Sequence, residues 1–207
     1  MGITGIINIG LGNVDSVARA VKHIGYDYIF CHQPEDLLQV DKIIFPGVGS
    51  FGAASELLSE SGFRSAIREH VLDRNKPVLG ICLGMQLLAD SGTEGGGGEG
   101  LGLIPGSVEL HRGADCGVSI PHIGWNDVFN TGGVLFNDIP EHTSFYFVHS
   151  YEYILKSDVE HIGLCNHGVD FVASVENGHI FGTQFHPEKS QELGLKLLKN
   201  FMEYKKC

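Results

Sequence analysis

The chain has 207 residues, 43% of them hydrophobic, enough to bury one sizeable core, and its 25 acidic against 14 basic side chains leave a net charge of -11. That balance repels phosphate backbones and anionic membrane surfaces, which argues against nucleic acid and membranes as partners. The segment "MGITGIINIG" carries no basic leader, no apolar run approaches the ~18 residues of a membrane span, and the five scattered cysteines (Cys31, Cys82, Cys116, Cys165, Cys207) form no CxxC pair, so reduced thiols and a cytoplasmic setting are expected.

In chain order, "ITGIINI" predicts a strand, and Val14, Val17, Ala18, Val21 and Ile24 follow at helical spacing. "KIIFP" predicts a second buried strand, helical segments run on through Leu72, and "KPVLGI" predicts a third. This alternation argues for a parallel sheet with helices on its faces. A glycine-rich stretch, "SGTEGGGGEGLG", reads as a mobile loop too short to join independent domains. Beyond it come "GSVELH", "SFYFVHSYEYI", "HIGLCNH", "FVASVEN" and "HIFGTQFH", strand-like pieces that read as antiparallel additions. A final helix carries Leu193, Leu197, Leu198, Phe201 and Met202 on one face, with lysines near its end to complement its dipole. The expectation is a single α/β domain over residues 1–207, built on an open mixed, mostly parallel sheet flanked by helices.

"PVLGICLGMQLLAD" sets Cys82 between Gly80 and Gly84, where an apolar run turns helical. This is the spacing of a nucleophile elbow, in which a tight strand-to-helix turn pushes the reactive side chain into the open. A helix starting at Leu83 would favour the thiolate of Cys82, and the free backbone N–H of Leu83 could donate to an oxyanion. The alternative is a buried cysteine acting as a small apolar residue.

"GTQFHPEKS" places His186 and Glu188 two apart in an extended segment, hence on the same side of the chain. A carboxylate can then orient the imidazole, the imidazole can take the thiol proton and return it to a leaving amine, and Cys82, His186 and Glu188 form a candidate triad. The competing reading of His186 is a surface turn residue. A second oxyanion donor is expected from "PGVGSFG", at Val48 or Gly49, where glycines let a peptide N–H turn towards a substrate oxygen.

With "GLGNVDSV", "PHIGWN" and "YFVHSY", these segments resemble the class I (triad) glutamine amidotransferases, and among them the glutaminase subunits of imidazole glycerol phosphate synthases, almost from end to end. The resemblance implies a flavodoxin-like fold and no cofactor or metal. It implies that Cys82 attacks the side-chain amide of glutamine, forming a thioester that water hydrolyses. The ammonia would pass to a (β/α)8-barrel cyclase in a heterodimer, for the synthesis of imidazole glycerol phosphate and an aminoimidazole carboxamide ribotide in histidine biosynthesis. "PGVG" would act as a switch that completes the oxyanion hole. Gly49, Gln86 and Glu94 would contact glutamine, with the backbone around His149, Ser150 and Tyr151 closing the pocket, although Gln86 could equally be a polar helix-face residue, Glu94 a solvated loop carboxylate and His149 a buried strand histidine. Asn13, Trp125 and Lys189 would meet the cyclase, although Trp125 could equally be a core residue. The chain departs from the pattern at Asn8 and Ile9, where an aspartate and an aromatic residue are expected, and in its extra loop glycines.

Other motifs lead elsewhere. "GLGNVD" lacks the third glycine of a dinucleotide turn, and "GGGGEG" has no G-K-[ST] after it. His111, His122, His161 and His167 have no metal-ligand spacing. Two further functions remain open: a paralogous glutaminase feeding another amidotransferase, such as one in surface-glycan biosynthesis, and a catalytically idle assembly module.

Overall fold

The computed structural model of the chain describes residues 2–205. Its strands and helices follow as β1 (Thr4–Ile7), α1 (Val14–His23), β2 (Tyr28–Cys31), β3 (Lys42–Gly47), α2 (Phe51–Glu60), α3 (Phe63–Arg68), β4 (Val78–Cys82) and α4 (Leu83–Gln86). Then come β5 (Ser91–Gly92), β6 (Gly98–Glu99), β7 (Gly106–Leu110), β8 (His122–Asn130), β9 (His142–His149), β10 (Tyr151–Leu155), β11 (His161–His167), β12 (Val169–Asn177), β13 (Ile180–Thr183) and α5 (Gln191–Glu203).

One mixed sheet runs β2-β1-β3-β4-β13-β12-β10-β7-β5-β6, with β11 joining β12 to β8 and β9 lying beyond β8. Its first five strands are parallel. Every residue of β1, β3, β4 and β13 is buried, as apolar strands covered on both faces must be. One face packs the apolar stripes of α1 and α5 with Phe145, Phe147 and Phe185. The other packs α2 and α3 through Phe51, Leu58, Phe63 and Ile67. No helix among the described residues is long and apolar enough to cross a membrane.

Several expected elements come out differently. "HIFGTQFH" supplies β13, which enters the central sheet parallel to β4 rather than adding an antiparallel strand there. "SFYFVHSYEYI" is two strands, because the chain leaves β8 for β7 at Ser150 and so changes pairing partner. The glycine-rich stretch is held in place: β5 and β6 pair, and the Arg64 guanidinium donates to the carbonyls of Glu99 and Gly100.

At the end of the chain, Leu193 is 37% exposed, while Leu197, Leu198, Phe201 and Met202 are buried as expected. The cation at the C-terminus of α5 comes from far away, and no basic residue lies in its last turn. Instead the buried Lys42 Nζ donates to the carbonyls of Phe201, Met202 and Tyr204 at 3.0, 2.7 and 2.9 Å, satisfying acceptors a helix end leaves open.

Candidate active site

Cys82 ends β4 and precedes α4, with φ 55° and ψ -111°, backbone angles that L-residues rarely adopt. The turn is held by backbone packing. A Cβ on Gly84 would lie 1.8 Å from the Phe45 carbonyl oxygen, and one on Gly80 would lie 2.5 Å from that of Gly84. Only glycine fits at either position.

The expected helix shrinks to one turn. Beyond it, the carbonyls of Leu87, Ala89 and Leu88 accept from the N–H groups of Leu101, Gly102 and Leu103, so they are taken by the returning chain. The Leu83 N–H opens this turn and has no intrahelical acceptor.

The parallel pairing Ile81 with Thr183 and Cys82 with Gly47 sets the thiol between the ends of β13 and β3. His186 lies just past β13, its imidazole 4% exposed, with Nδ1 2.8 Å from Glu188 Oε1. Its loop is clamped to β9: the His186 N–H donates to the Tyr146 carbonyl, while Ser190 Oγ donates to the His186 carbonyl and accepts from the Tyr146 N–H. Nε2 is buried without another partner, leaving it for the Cys82 sulfur beside it. Burial alone would lower the pKa of this imidazole, but the adjoining sulfur and the Glu188 carboxylate more than offset it and hold it raised. A thiol, an imidazole and a carboxylate in this order can move a proton from sulfur to nitrogen and keep it there.

The remaining expected residues divide. Val48 points its side chain outward and donates its N–H to the Leu11 carbonyl at 3.1 Å, so in this conformation that donor is turned away from an oxyanion. Gly49 sits at φ 110°, with open space where a Cβ would be. Glu94 accepts from the Phe51 N–H at 3.1 Å, tying the glycine-rich stretch to the start of α2 just past Gly49. Burial raises its pKa against that hydrogen bond.

Gln86 is buried, and its Nε2 is spent on the Tyr151 carbonyl at 3.1 Å and Gln184 Oε1 at 3.0 Å. His149 is a buried strand histidine with Nδ1 2.9 Å from the Tyr151 carbonyl and Nε2 3.0 Å from His122 Nδ1. Burial pushes His149 down to about 3 and His122 to about 4, so both rings are neutral. Ser150 offers its carbonyl to the His111 N–H. The backbone of this segment comes close to the thiol, with the Val148 carbonyl 3.8 Å from Cys82 Sγ.

Trp125 is 48% exposed on β8, which rules out the core alternative. Its cross-strand partner Tyr146 meets the Trp125 ring edge-on and lies under the Lys189 ammonium, which is 5.9 Å from the Tyr146 ring centre. Asn13 caps α1, accepting from the Ser16 N–H, and α1 packs against the Pro187–Lys189 turn.

Two features escaped the sequence reading. Gln184 is fully buried with its Nε2 3.7 Å from Cys82 Sγ, and its position two residues before His186 was the available signal, because period two puts both on one side. His111, His122, His149 and His167 stack into one cluster from four separate segments, which no local spacing announces. The four described cysteines are all free, and Cys207 lies outside the described residues.

A family model described as glutamine amidotransferase class-I matches residues 5–204. The imidazole glycerol phosphate synthase subunit HisH 1 of Campylobacter jejuni (strain RM1221) is 48% identical over 95% of this chain and 98% of its own length. Subunit HisH of Moorella thermoacetica is 44% identical over 96% and 93%. The chloroplastic imidazole glycerol phosphate synthase hisHF of Arabidopsis thaliana is 39% identical over 97% of this chain but only 34% of that longer protein. Among solved structures, PurLQS from Thermotoga maritima superposes with a TM-score of 0.77 at 20% identity over 99% of both chains, a likeness of fold. The chain therefore belongs to the class-I glutamine amidotransferases, within the group of imidazole glycerol phosphate synthase HisH subunits.

Proposed function

We propose that this chain is the cytoplasmic glutaminase subunit of an imidazole glycerol phosphate synthase, releasing ammonia from glutamine for a (β/α)8-barrel cyclase in histidine biosynthesis. The observation that carries the chemistry is Cys82, strained at the tip of β4, beside an imidazole held by Glu188 and kept protonated by its two neighbours. The identity of the HisH relatives carries the choice of synthase.

In this reading the Cys82 thiolate attacks the glutamine side-chain carbonyl and the developing oxyanion takes the Leu83 N–H. His186 gives its proton to the departing nitrogen, ammonia leaves, and a glutamyl thioester remains. His186 then removes a proton from water, which attacks the thioester, releases glutamate and restores the sulfur. A second oxyanion donor requires the backbone at Val48 and Gly49 to reorient, freeing the Val48 N–H from Leu11. That supports a glutaminase held back until its partner engages. Glutamine would lie along Gly49, Gln86 and Glu94 under the 149–151 backbone. Gln86 has its Nε2 committed, leaving Oε1 for the substrate.

The cyclase would dock on the face that carries Trp125, Lys189 and Asn13. Aromatic anchors beside a cation suit such an interface. The test is co-purification with the histidine-pathway cyclase and assay with glutamine or ammonia. Cys82→Ala should abolish glutamine-dependent synthesis and spare ammonia-dependent synthesis. A variant that keeps glutamine-dependent synthesis overturns the mechanism, and a chain that this cyclase neither binds nor activates overturns the choice of synthase.

A further inference from the structure

We propose that Gln184 is a positioning residue for the Cys82 sulfur, its side-chain amide aimed so that an N–H, and not a carbonyl oxygen, meets the thiolate. The proposal rests on Cys82 being the nucleophile, and it adds a donor that the triad does not contain.

The orientation follows from a chain of fixed partners. The Tyr151 carbonyl can only accept, so the Gln86 atom 3.1 Å away is its NH2 group. That same Nε2 lies 3.0 Å from Gln184, so the Gln184 atom facing it is the oxygen. The remaining end of the Gln184 amide, its NH2 group, is then turned to Cys82 Sγ at 3.7 Å. Full burial and a backbone bond from the Gln184 N–H to the Ala173 carbonyl hold the residue in register.

A donor is needed there because the sulfur also faces the Val148 carbonyl at 3.8 Å. A carbonyl oxygen accepts from a neutral thiol and repels a thiolate. The amide N–H does the reverse, because hydrogen bonds to a charged acceptor are the stronger ones. The titratable group beside the sulfur is His186, itself held by Glu188. Gln184 thus adds a neutral donor on the thiolate side and leaves the imidazolium proton free to move to the leaving group.

The test follows alkylation of Cys82 by iodoacetamide against pH in the full chain, read by peptide mass spectrometry so that the exposed Cys116 is counted separately. Gln184→Met removes the donor at similar volume, and Gln184→Glu replaces it with oxygen. Both should move the alkylation midpoint to higher pH and slow the reaction by about 10-fold at pH values below the wild-type midpoint, the low end for a hydrogen bond to a charged group. Thermal melting reports folding separately. Folded variants with the wild-type midpoint overturn the proposal.

A second measurement needs no variant: the Gln184 side-chain 15N–1H signal in the wild-type chain should titrate with the alkylation midpoint. A signal that stays flat through it also overturns the proposal. Wild-type Cys82 that does not alkylate even in the complex with the cyclase would instead refute the reading of Cys82 as a nucleophile.

Discussion

The backbone at Cys82 can be tested without any substrate, by comparing Cys82→Gly with Cys82→Ala. Both remove the sulfur, so the pair isolates the Cβ at φ 55°, ψ -111°. At an ordinary buried position, alanine to glycine loses roughly 0.8 kcal/mol of burial and about 0.7 kcal/mol through the extra freedom of the unfolded chain, together about 1.5 kcal/mol. A residue held in a sparsely populated region stores about 1 to 3 kcal/mol, here taken as ~2, which glycine releases. Glycine should therefore be the more stable variant by about 0.5 kcal/mol rather than the less stable by about 1.5. In a chain of this size the ~2 kcal/mol separating the two expectations corresponds to about 4 to 8 °C in melting temperature. Scanning calorimetry of the two variants, supported by urea unfolding, decides it. A glycine variant melting ~3 °C or more below the alanine variant would refute the stored strain.

Acid should loosen the histidine cluster. His149 at about 3 and His122 at about 4 lie below the ~6.5 of an unfolded histidine, so the unfolded chain binds more protons between those values and stability falls as pH drops through that window. His122 alone contributes about 3 kcal/mol of that loss by pH 4, and His122→Gln should make the urea midpoint fall less steeply between pH 6.5 and 4.5, the remaining slope coming from His149 and from the buried His70, lowered to about 4. Gly84→Ala should cost about 3 kcal/mol, the upper end for overpacking, because its Cβ meets a backbone oxygen that cannot step aside, and a melting temperature near wild type would contradict the packing described. Lys42→Met should cost about 2 kcal/mol by stripping three carbonyls of their donor, measured by urea unfolding. Trp125→Ala should weaken cyclase binding about 10-fold or more in a titration while leaving the melting temperature unchanged.

Cys82, His186 and Glu188 were legible in the sequence because each lies in a short stretch whose local geometry is dictated by its own residues. Glycines around Cys82 demand the turn, and a two-residue spacing demands that His186 and Glu188 share a side. The sequence carries no signal for what distant segments do to those side chains. For Gln86 the family resemblance implied a contact with glutamine, with a polar helix-face residue as the equal alternative. Its amide nitrogen is consumed by Tyr151 and Gln184, partners 65 and 98 positions away. The Val48 N–H is turned towards Leu11 by the close approach of two loops, which glycine content permits but does not choose. Likewise the lysines near the chain end promised a cation for α5, and the one that serves it sits on β3, 159 residues before the first carbonyl it holds. The parallel core was readable from alternating apolar runs. The place of β13 within it was not, since a short apolar segment carries no mark of which neighbour it will take.

That placement of β13 beside β4 bears on how such a protein can diversify. Two adjacent parallel strands sit about 4.8 Å apart whatever else the chain does, so the pairing of β4 with β13 brings together the two strand ends from which the sulfur and the imidazole are carried. The long excursion between them, from β5 through β12, supplies the outer hairpins and the aromatic face, and through Tyr146 on β9 it also fastens the loop that carries His186. The hairpin edges away from Tyr146 and Val148 can therefore be recut to suit a new recipient of ammonia without disturbing the strand tips, whereas that stretch of β9 cannot.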